Sequence, residues 1–278
     1  PPEVDVGRRR RRRAGRRHRQ RHHPRHHRHD RHGRRHRPRH RVPRFGDQGV
    51  VVAGLAPGVV RRPQLFVQGN PHRLAQKVDA ALGQRLSDLM WNGPEDQLTL
   101  TENAQPALMA VSLAAMRVLE IEHGVTVANT AKCVAGHSLG EYSALAAAGT
   151  FTIADAARLL KIRGKAMQAA TPVGTGAMAA LLGLDFKSAS EVAAEAAQGD
   201  VCQAANDNSD GQVVISGAKA AVERALDIAK AKGAKRAILL PVSAPFHCAL
   251  MQPAAEAMAE ALANAQMNNP VVPVFANV

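Results

Sequence analysis

From Val78 onward, apolar and polar residues recur with the periods of regular structure; before Val78 they do not. Val78-Asp79-Ala80-Ala81-Leu82 through Met90 repeats at helical spacing, and Asn92-Gly93-Pro94 stops it. Asn103-Ala104-Gln105-Pro106 introduces a long amphipathic helix through Glu122, ended by His123-Gly124. The short apolar run Cys133-Val134-Ala135 reads as a strand, and an alanine-rich helix follows from Gly140 to Gly149. Thr152, with Asp155 three residues on, has the pattern of an N-cap. It predicts a helix to Ala170 whose apolar face is Ala156, Leu159, Leu160, Ala166, Met167 and Ala170.

Residues 173–240 read as a separate unit. Strands are predicted at Gly176–Leu182, Val201–Ala205, Gln212–Ser216 and Ala234–Leu240. Helices are predicted at Ala189–Gln198 and Ala220–Lys232, with Gly233 as the stop. The order βαββαβ is the ferredoxin-like signature, inserted into a larger domain. Pro241–Met251 then forms a loop, Pro253–Gln266 a helix and Val271–Phe275 a strand. Residues 78–172 and 241–278 are therefore assigned to a large subdomain, and 45–77 remain without assignment.

Composition changes the picture at one end only. The net charge of +14 suggests a nucleic-acid partner, but residues 1–44 hold 19 of the 37 basic residues, all arginine, against 3 of the 23 acids. The remaining chain carries 18 basic and 20 acidic residues, so the body is close to neutral. An Arg/His-rich segment without apolar residues to bury is expected to be disordered. It has three readings: a basic arm on phosphates, a histidine-rich metal binder, or a GC-rich gene read out of frame. Cys133, Cys202 and Cys248 fit neither a zinc spacing nor a disulfide framework, which points to a reducing cytoplasm. No run of about eighteen apolar residues and no signal-peptide core is present, so no membrane association is expected.

The candidate chemistry centres on Gly136-His137-Ser138-Leu139-Gly140, between the short strand and the alanine-rich helix. This Gly-x-Ser-x-Gly elbow lifts a serine hydroxyl above a sheet, with free N–H groups of the following helix beside it. The pattern alone arises by chance roughly one time in ten in a chain this long. The strand-turn-helix context favours a nucleophile over a loop serine, and with it an α/β-hydrolase-like large subdomain with a parallel sheet. Arg163 falls on the apolar face of the 152–170 helix, four residues after Leu159 and four before Met167. Either it has a partner, since an unpaired buried charge is costly, or its stem lies on the stripe and its head reaches water. Lys161 and Lys165 lie off that face and are expected to be solvated. His247, after the rigid Ala244-Pro245-Phe246, is by pattern a packed or surface residue, and Gln105 a helix-start residue.

The longer string Gly136-His137-Ser138-Leu139-Gly140-Glu141-Tyr142-Ser143-Ala144-Leu145 resembles the active-site segment of malonyl-CoA:acyl-carrier-protein transacylases of fatty-acid synthesis. Acyltransferase domains of polyketide synthases are similar. The resemblance runs from Val78 to the end of the chain and includes Gln105-Pro106-Ala107-Leu108 and Arg163-Gly164-Lys165 with Met167. It implies Ser138 as nucleophile, His247 as its base and Leu139 N–H in the oxyanion hole. It also implies Arg163, Gln105, His137 and Phe246 as substrate-binding residues, with Arg163 on the malonyl carboxylate and Phe246 suited to malonyl rather than methylmalonyl units. Malonyl-CoA and acyl carrier protein are then the expected partners of a monomer, with no metal, bound cofactor or nucleic acid. Lys161, Lys165, Lys235 and Arg236 could dock an acidic carrier protein.

The resemblance also implies a Phe-Pro-Gly-Gln-Gly-Ser-Gln motif near residues 50–57, which here read Val-Val-Val-Ala-Gly-Leu-Ala-Pro. Family members extend some tens of residues further at the C-terminal end. The expectation is a chain altered at both ends, which favours the out-of-frame reading of residues 1–44. Three alternatives to malonyl transfer stand beside it: another serine acyl hydrolase or polyketide-type acyltransferase, an inactive fragment, or nucleic-acid binding through the arm.

Overall fold

The computed structural model describes Val50–Val52 and residues 71–277. The Arg/His-rich arm and the expected glutamine motif after Val52 lie outside the described residues. In chain order the elements are β1 (Val50–Val52), α1 (Pro71–Leu82), α2 (Leu86–Asn92), α3 (Glu95–Thr99), α4 (Thr101–His123), α5 (Val127–Thr130), β2 (Cys133–Ala135), α6 (Gly140–Ala147) and α7 (Ile153–Ala170). The chain continues with β3 (Gly176–Leu182), α8 (Phe186–Ala197), β4 (Cys202–Ser209), β5 (Gln212–Ala218), α9 (Lys219–Ala231) and β6 (Arg236–Leu239). A 3-10 turn at Ala249–Met251 leads into α10 (Gln252–Ala263), and β7 (Val274–Phe275) ends the series.

Two sheets organise these elements. β1, β2 and β7 form a parallel sheet in the order β1-β2-β7, with Val51 opposite Val134 and Val134 opposite Val274. The central position of β2 buries Val134 completely and aims its C-terminal end at the elbow. Around this sheet, helix packing supplies the large core: Leu86, Met109, Val111 and Leu160 are buried together, each contributing about 1.5–3 kcal/mol by leaving water. α4 is long and apolar enough to cross a membrane by length and composition. Here it is a core helix, burying Ala107, Met109, Ala110, Val111, Leu113 and Ala114.

The second sheet is antiparallel, in the order β4-β5-β3-β6, with α8 and α9 on one face. That is the ferredoxin-like arrangement. Alternation explains it: Ala179, Leu181, Val213 and Ile215 point to the helices and are fully buried. Asp185 caps α8 by accepting from Ser188 N at 2.7 Å, a start signal that places the helix three residues before the predicted Ala189.

Three expectations change. The helix predicted over Val78–Met90 is two helices, α1 beginning earlier and α2 following a turn at Gly83, whose φ is +59°. Leu82 and Leu86 both face the same core across that turn, so apolar spacing continues through the break. Asp79 holds the turn, accepting from Ser87 N at 2.9 Å and Ser87 Oγ at 2.5 Å. The last strand shortens to Val274-Phe275 because Val271 N donates instead to Ala148 O at 2.9 Å. Lys161 is not solvated: its Nζ donates to Gln84 Oε1 and Asn103 Oδ1, both at 2.9 Å, and lies 3.0 Å from Glu102 Oε2.

Candidate active site

The elbow follows from local chemistry. β2 ends at Ala135, and Gly136 is buried where an added Cβ would sit 1.9 Å from the Gly140 carbonyl oxygen. Only glycine permits this approach of strand end to helix start. Ser138 then takes φ +54°, a left-handed conformation uncommon for a side-chain-bearing residue and characteristic of sites held by their surroundings. Turn bonds from Gly140 N to His137 O (2.9 Å) and Glu141 N to Ser138 O (3.1 Å) lead directly into α6. Leu139 N–H has no protein acceptor among the described residues, leaving a donor beside the serine at a helix N-terminus.

His247 Nε2 lies 2.9 Å from Ser138 Oγ across 109 residues of sequence. His247 also has a positive φ, +58°, so both members of the pair occupy uncommon backbone conformations. The loop that carries His247 is seated by Pro245, whose ring fills the space a side chain at Gly176 would need. Part of His247 remains open to solvent, while its ring faces Ser138, Arg163 and, at 6.5 Å between centroids, His137. Desolvation, then the Arg163 and His137 charges, push its pKa down to about 4. The imidazole is therefore neutral near pH 7 and available as a proton acceptor.

Arg163 completes the centre. Its Nη2 donates to Ser138 Oγ at 3.0 Å and its Nη1 to Gln105 Oε1 at 2.6 Å. Gln105 is almost wholly buried and fixed in turn: its Nε2 donates to Thr101 Oγ1 at 2.7 Å and to Met167 Sδ at 3.4 Å. The guanidinium lies 5.9 Å from the centroid of the Tyr142 ring. Burial lowers the Arg163 pKa, with Tyr142 and Glu141 acting in the opposite direction. No carboxylate forms a salt bridge to Arg163 among the described residues. The sequence pattern left open whether this arginine was paired or snorkelling. It is partly buried, hydrogen-bonded to neutral groups, and without a salt-bridge partner among the described residues.

Residues singled out from the sequence do not all converge. Ser138, His247, Arg163 and Gln105 form one connected network. His137 is exposed, with Nε2 3.4 Å from Asn206 Nδ2 of the antiparallel sheet. Phe246 packs against the cluster of Met167, Met251 and Ala254, behind the Gln105 contact. Lys165, Lys235 and Arg236 are exposed, whereas Lys161 is held in its internal network.

Asn277 was not anticipated. Its Oδ1 accepts from Ser138 N at 2.6 Å, its Nδ2 donates to Gly136 O, and its backbone N donates to Glu141 Oε2 at 3.1 Å. It staples both ends of the elbow from a position whose neighbours in sequence carry no motif. Tyr142 belongs to the elbow motif, but its place against the Arg163 guanidinium depends on the packing of α6 and α7.

No cluster of three metal-ligating side chains occurs among the described residues. Cys202 is buried and its thiol is pushed up to about 11 by desolvation, which disfavours the reactive thiolate. A cavity of about 560 Å³ bounded by Arg73, Lys77, Leu113, Met116, Val127 and Ala147 contains none of the network residues.

Comparison with known proteins matches residues 53–278 to the acyl transferase domain. The chain is 52% identical over 202 residues to the malonyl CoA-acyl carrier protein transacylase of Escherichia coli strain K12, covering 73% of this chain. It spans 64% of the length of that relative. Among solved structures, the acyl-carrier-protein-S-malonyltransferase of Bartonella henselae superposes with a TM-score of 0.74 at 53% identity, covering 83% of this chain and 74% of that one. A malonyl-transacylase solved in complex with its type II PKS acyl-carrier protein gives a TM-score of 0.71 at 47% identity, covering 75% and 66% of the two chains. The parallel sheet with its separate antiparallel sheet is the fold of these acyltransferases.

Proposed function

We propose, since this chain belongs to the family of acyl transferase domains, that it moves a malonyl group from malonyl-CoA to the phosphopantetheine thiol of acyl carrier protein. Ser138 Oγ gives its proton to His247 Nε2 and bonds to the thioester carbonyl carbon. The resulting oxyanion is met by the Leu139 N–H at the start of α6. As the carbon–sulfur bond breaks, His247 returns the proton to the departing CoA sulfur, leaving malonyl-Ser138. The carrier thiol then repeats the steps in reverse, with its proton passing through His247 to Ser138.

One observation carries the choice of malonyl over simple acyl groups. Arg163 presents a partly buried guanidinium beside the nucleophile with no acidic partner among the described residues. A planar fork of donors fits a carboxylate through two parallel hydrogen bonds. The name of the Escherichia coli relative and the carrier-protein complex of the polyketide-type relative support the donor and the acceptor class. The three free thiols fit a reducing, cytoplasmic setting. Lys165, Lys235 and Arg236 remain as basic candidates for meeting the carrier.

The test is intact-protein mass after brief exposure to malonyl-CoA, with Ser138→Ala in parallel. The expected result is a malonyl adduct on the parent and none on the variant. A folded parent that takes no adduct, or a variant that takes one equally, would overturn the reading.

A further inference from the structure

We propose that Arg163 is a brake on the nucleophile that the donor's carboxylate releases: in the free protein its guanidinium holds Ser138 Oγ, and an acyl carboxylate draws it away so that Oγ can attack. The inference rests on the malonyl-transfer reading and adds to carboxylate recognition a consequence for reactivity.

The geometry at Oγ carries it. A serine hydroxyl has one proton and two lone pairs. The proton has an acceptor in the neutral His247 Nε2 at 2.9 Å. Arg163 Nη2 donates to the same oxygen at 3.0 Å, a charge-assisted bond that engages a lone pair. A cation on that oxygen withdraws the electron density that attack on a carbonyl requires. The oxygen is thus aligned for proton loss and hindered for bond formation at once.

Arg163 has reason to leave when a carboxylate arrives. Its present partners are a neutral hydroxyl, the neutral Gln105 amide oxygen and the face of Tyr142. Glu141, the acid that contributes to its electrostatics, accepts instead from Asn277 N. Exchanging a hydroxyl for a carboxylate is favourable in a partly desolvated site. The Nη1 bond to Gln105 can persist as a tether, because Gln105 is itself locked by Thr101 and Met167. A small movement about that tether suffices to free Oγ.

The same charge acts on the base. Among the described residues, the groups that act on His247 are Arg163 from α7 and His137 and Ser138 from the elbow, and none of them is acidic. Burial, Arg163 and His137 all disfavour its protonated form. A carboxylate that neutralises Arg163 removes one of these influences, so His247 becomes a stronger base only when a carboxylated donor is bound. A donor without a carboxylate leaves the cation in place and meets both a hindered oxygen and a weaker base.

The test follows single-turnover acylation of Ser138 by saturating malonyl-CoA and by saturating acetyl-CoA as a function of pH. With acetyl-CoA the acid limb is expected near 4, the value for the unliganded pair. With malonyl-CoA it is expected higher by about one pH unit or more. In Arg163→Gln the two limbs should coincide, at or above the wild-type malonyl position. Arg163→Lys, which keeps the charge but loses the fork, should retain the low limb with acetyl-CoA. Coincident limbs in the wild-type protein overturn the brake; if Arg163→Gln still abolishes the preference for malonyl over acetyl, the functional reading survives that result. If Arg163→Gln leaves the preference intact, Arg163 does not hold the carboxylate and the brake falls, while malonyl transfer through Ser138 stands or falls on the adduct.

Discussion

The two sheets of this molecule solve different problems. The antiparallel sheet with α8 and α9 has its own alanine- and valine-rich core, with Ala179, Leu181, Val192, Val213, Ile215 and Val222 all inaccessible to solvent. Its strands pair at length, and β3 is bonded to both β5 and β6. The parallel sheet is three short strands surrounded by helices, and its loops break local rules. Ser138 and His247 have positive φ, Gly136 admits no side chain, and Arg163 lacks a counter-ion among the described residues. The antiparallel sheet reaches toward this centre through Asn206 near His137 and through Gln203, whose Oε1 accepts from Ala249 N at 2.8 Å. Regular packing dominates one region, and backbone strain supported by packing is concentrated at the candidate site in the other.

The largest effect should separate the regions at a single methyl group. Gly136→Ala places a Cβ against the Gly140 backbone, with no flexible side chain to yield. It should cost at least about 3 kcal/mol and remove Ser138 acylation. Gly233→Ala in the antiparallel region meets open space and only the strain of φ +92°, so it should cost about 1 kcal/mol and leave the acylation rate unchanged. Thermal melts and adduct formation read both outcomes; equal losses would erase the distinction.

Matched core truncations come next. Leu160→Ala and Leu181→Ala each empty a fully buried site and should cost about 2–5 kcal/mol. Denaturant melts should show similar losses, but only Leu160→Ala should also slow acylation below the melting range. Leu160 lies on α7 three residues before Arg163, whereas Leu181 lies on β3 in the separate core against α8 and α9.

A smaller effect is expected at Lys161. Lys161→Met should destabilise by about 1–3 kcal/mol because it leaves Gln84 Oε1 and Glu102 without their ammonium partner, while Asn103 Oδ1 keeps only its bond from Gln84 Nε2. Lys232→Met, which removes an exposed pair with Glu195, should change stability by less than about 1 kcal/mol. Similar melting shifts for the two variants would mean that the Lys161 network is no stronger than a surface ion pair.

The subtlest prediction concerns pH. His247 has a folded pKa of about 4, below the ordinary histidine value near 6.5. Between these values the unfolded chain binds more protons than the folded one, so stability rises with pH and falls as the solution is acidified through that window. His247→Gln should flatten this slope in melts taken across the window. An unchanged slope would assign the acid sensitivity to other groups.

Much of this was legible in the sequence because it depends on near neighbours. The elbow announces itself through two glycines around a serine, and the βαββαβ unit through its alternation. The cap at Thr152 is real, with its Oγ1 accepting from Asp155 N at 3.1 Å. The turn at Gly83 was missed because apolar spacing runs through it. Lys161 was misplaced because its partners come from two segments distant in sequence, Gln84 after α1 and Glu102 with Asn103 at the start of α4. Asn277 was missed altogether: an asparagine near a chain end carries no signal until β7 lies beside β2 and brings it to the elbow.

The sequence by itself therefore determined most of the longer elements, the family, and which serine sits on the glycine-flanked turn. Those depend on contacts within a few residues, where backbone sterics and side-chain period act directly. Tertiary structure alone decided that Arg163 and His247 both reach the Ser138 hydroxyl oxygen, that Gln105 tethers Arg163, and that no carboxylate among the described residues forms a salt bridge with it. Hydrogen bonds and Coulomb interactions depend on distance in space, and over 109 residues of chain only the packed fold sets that distance.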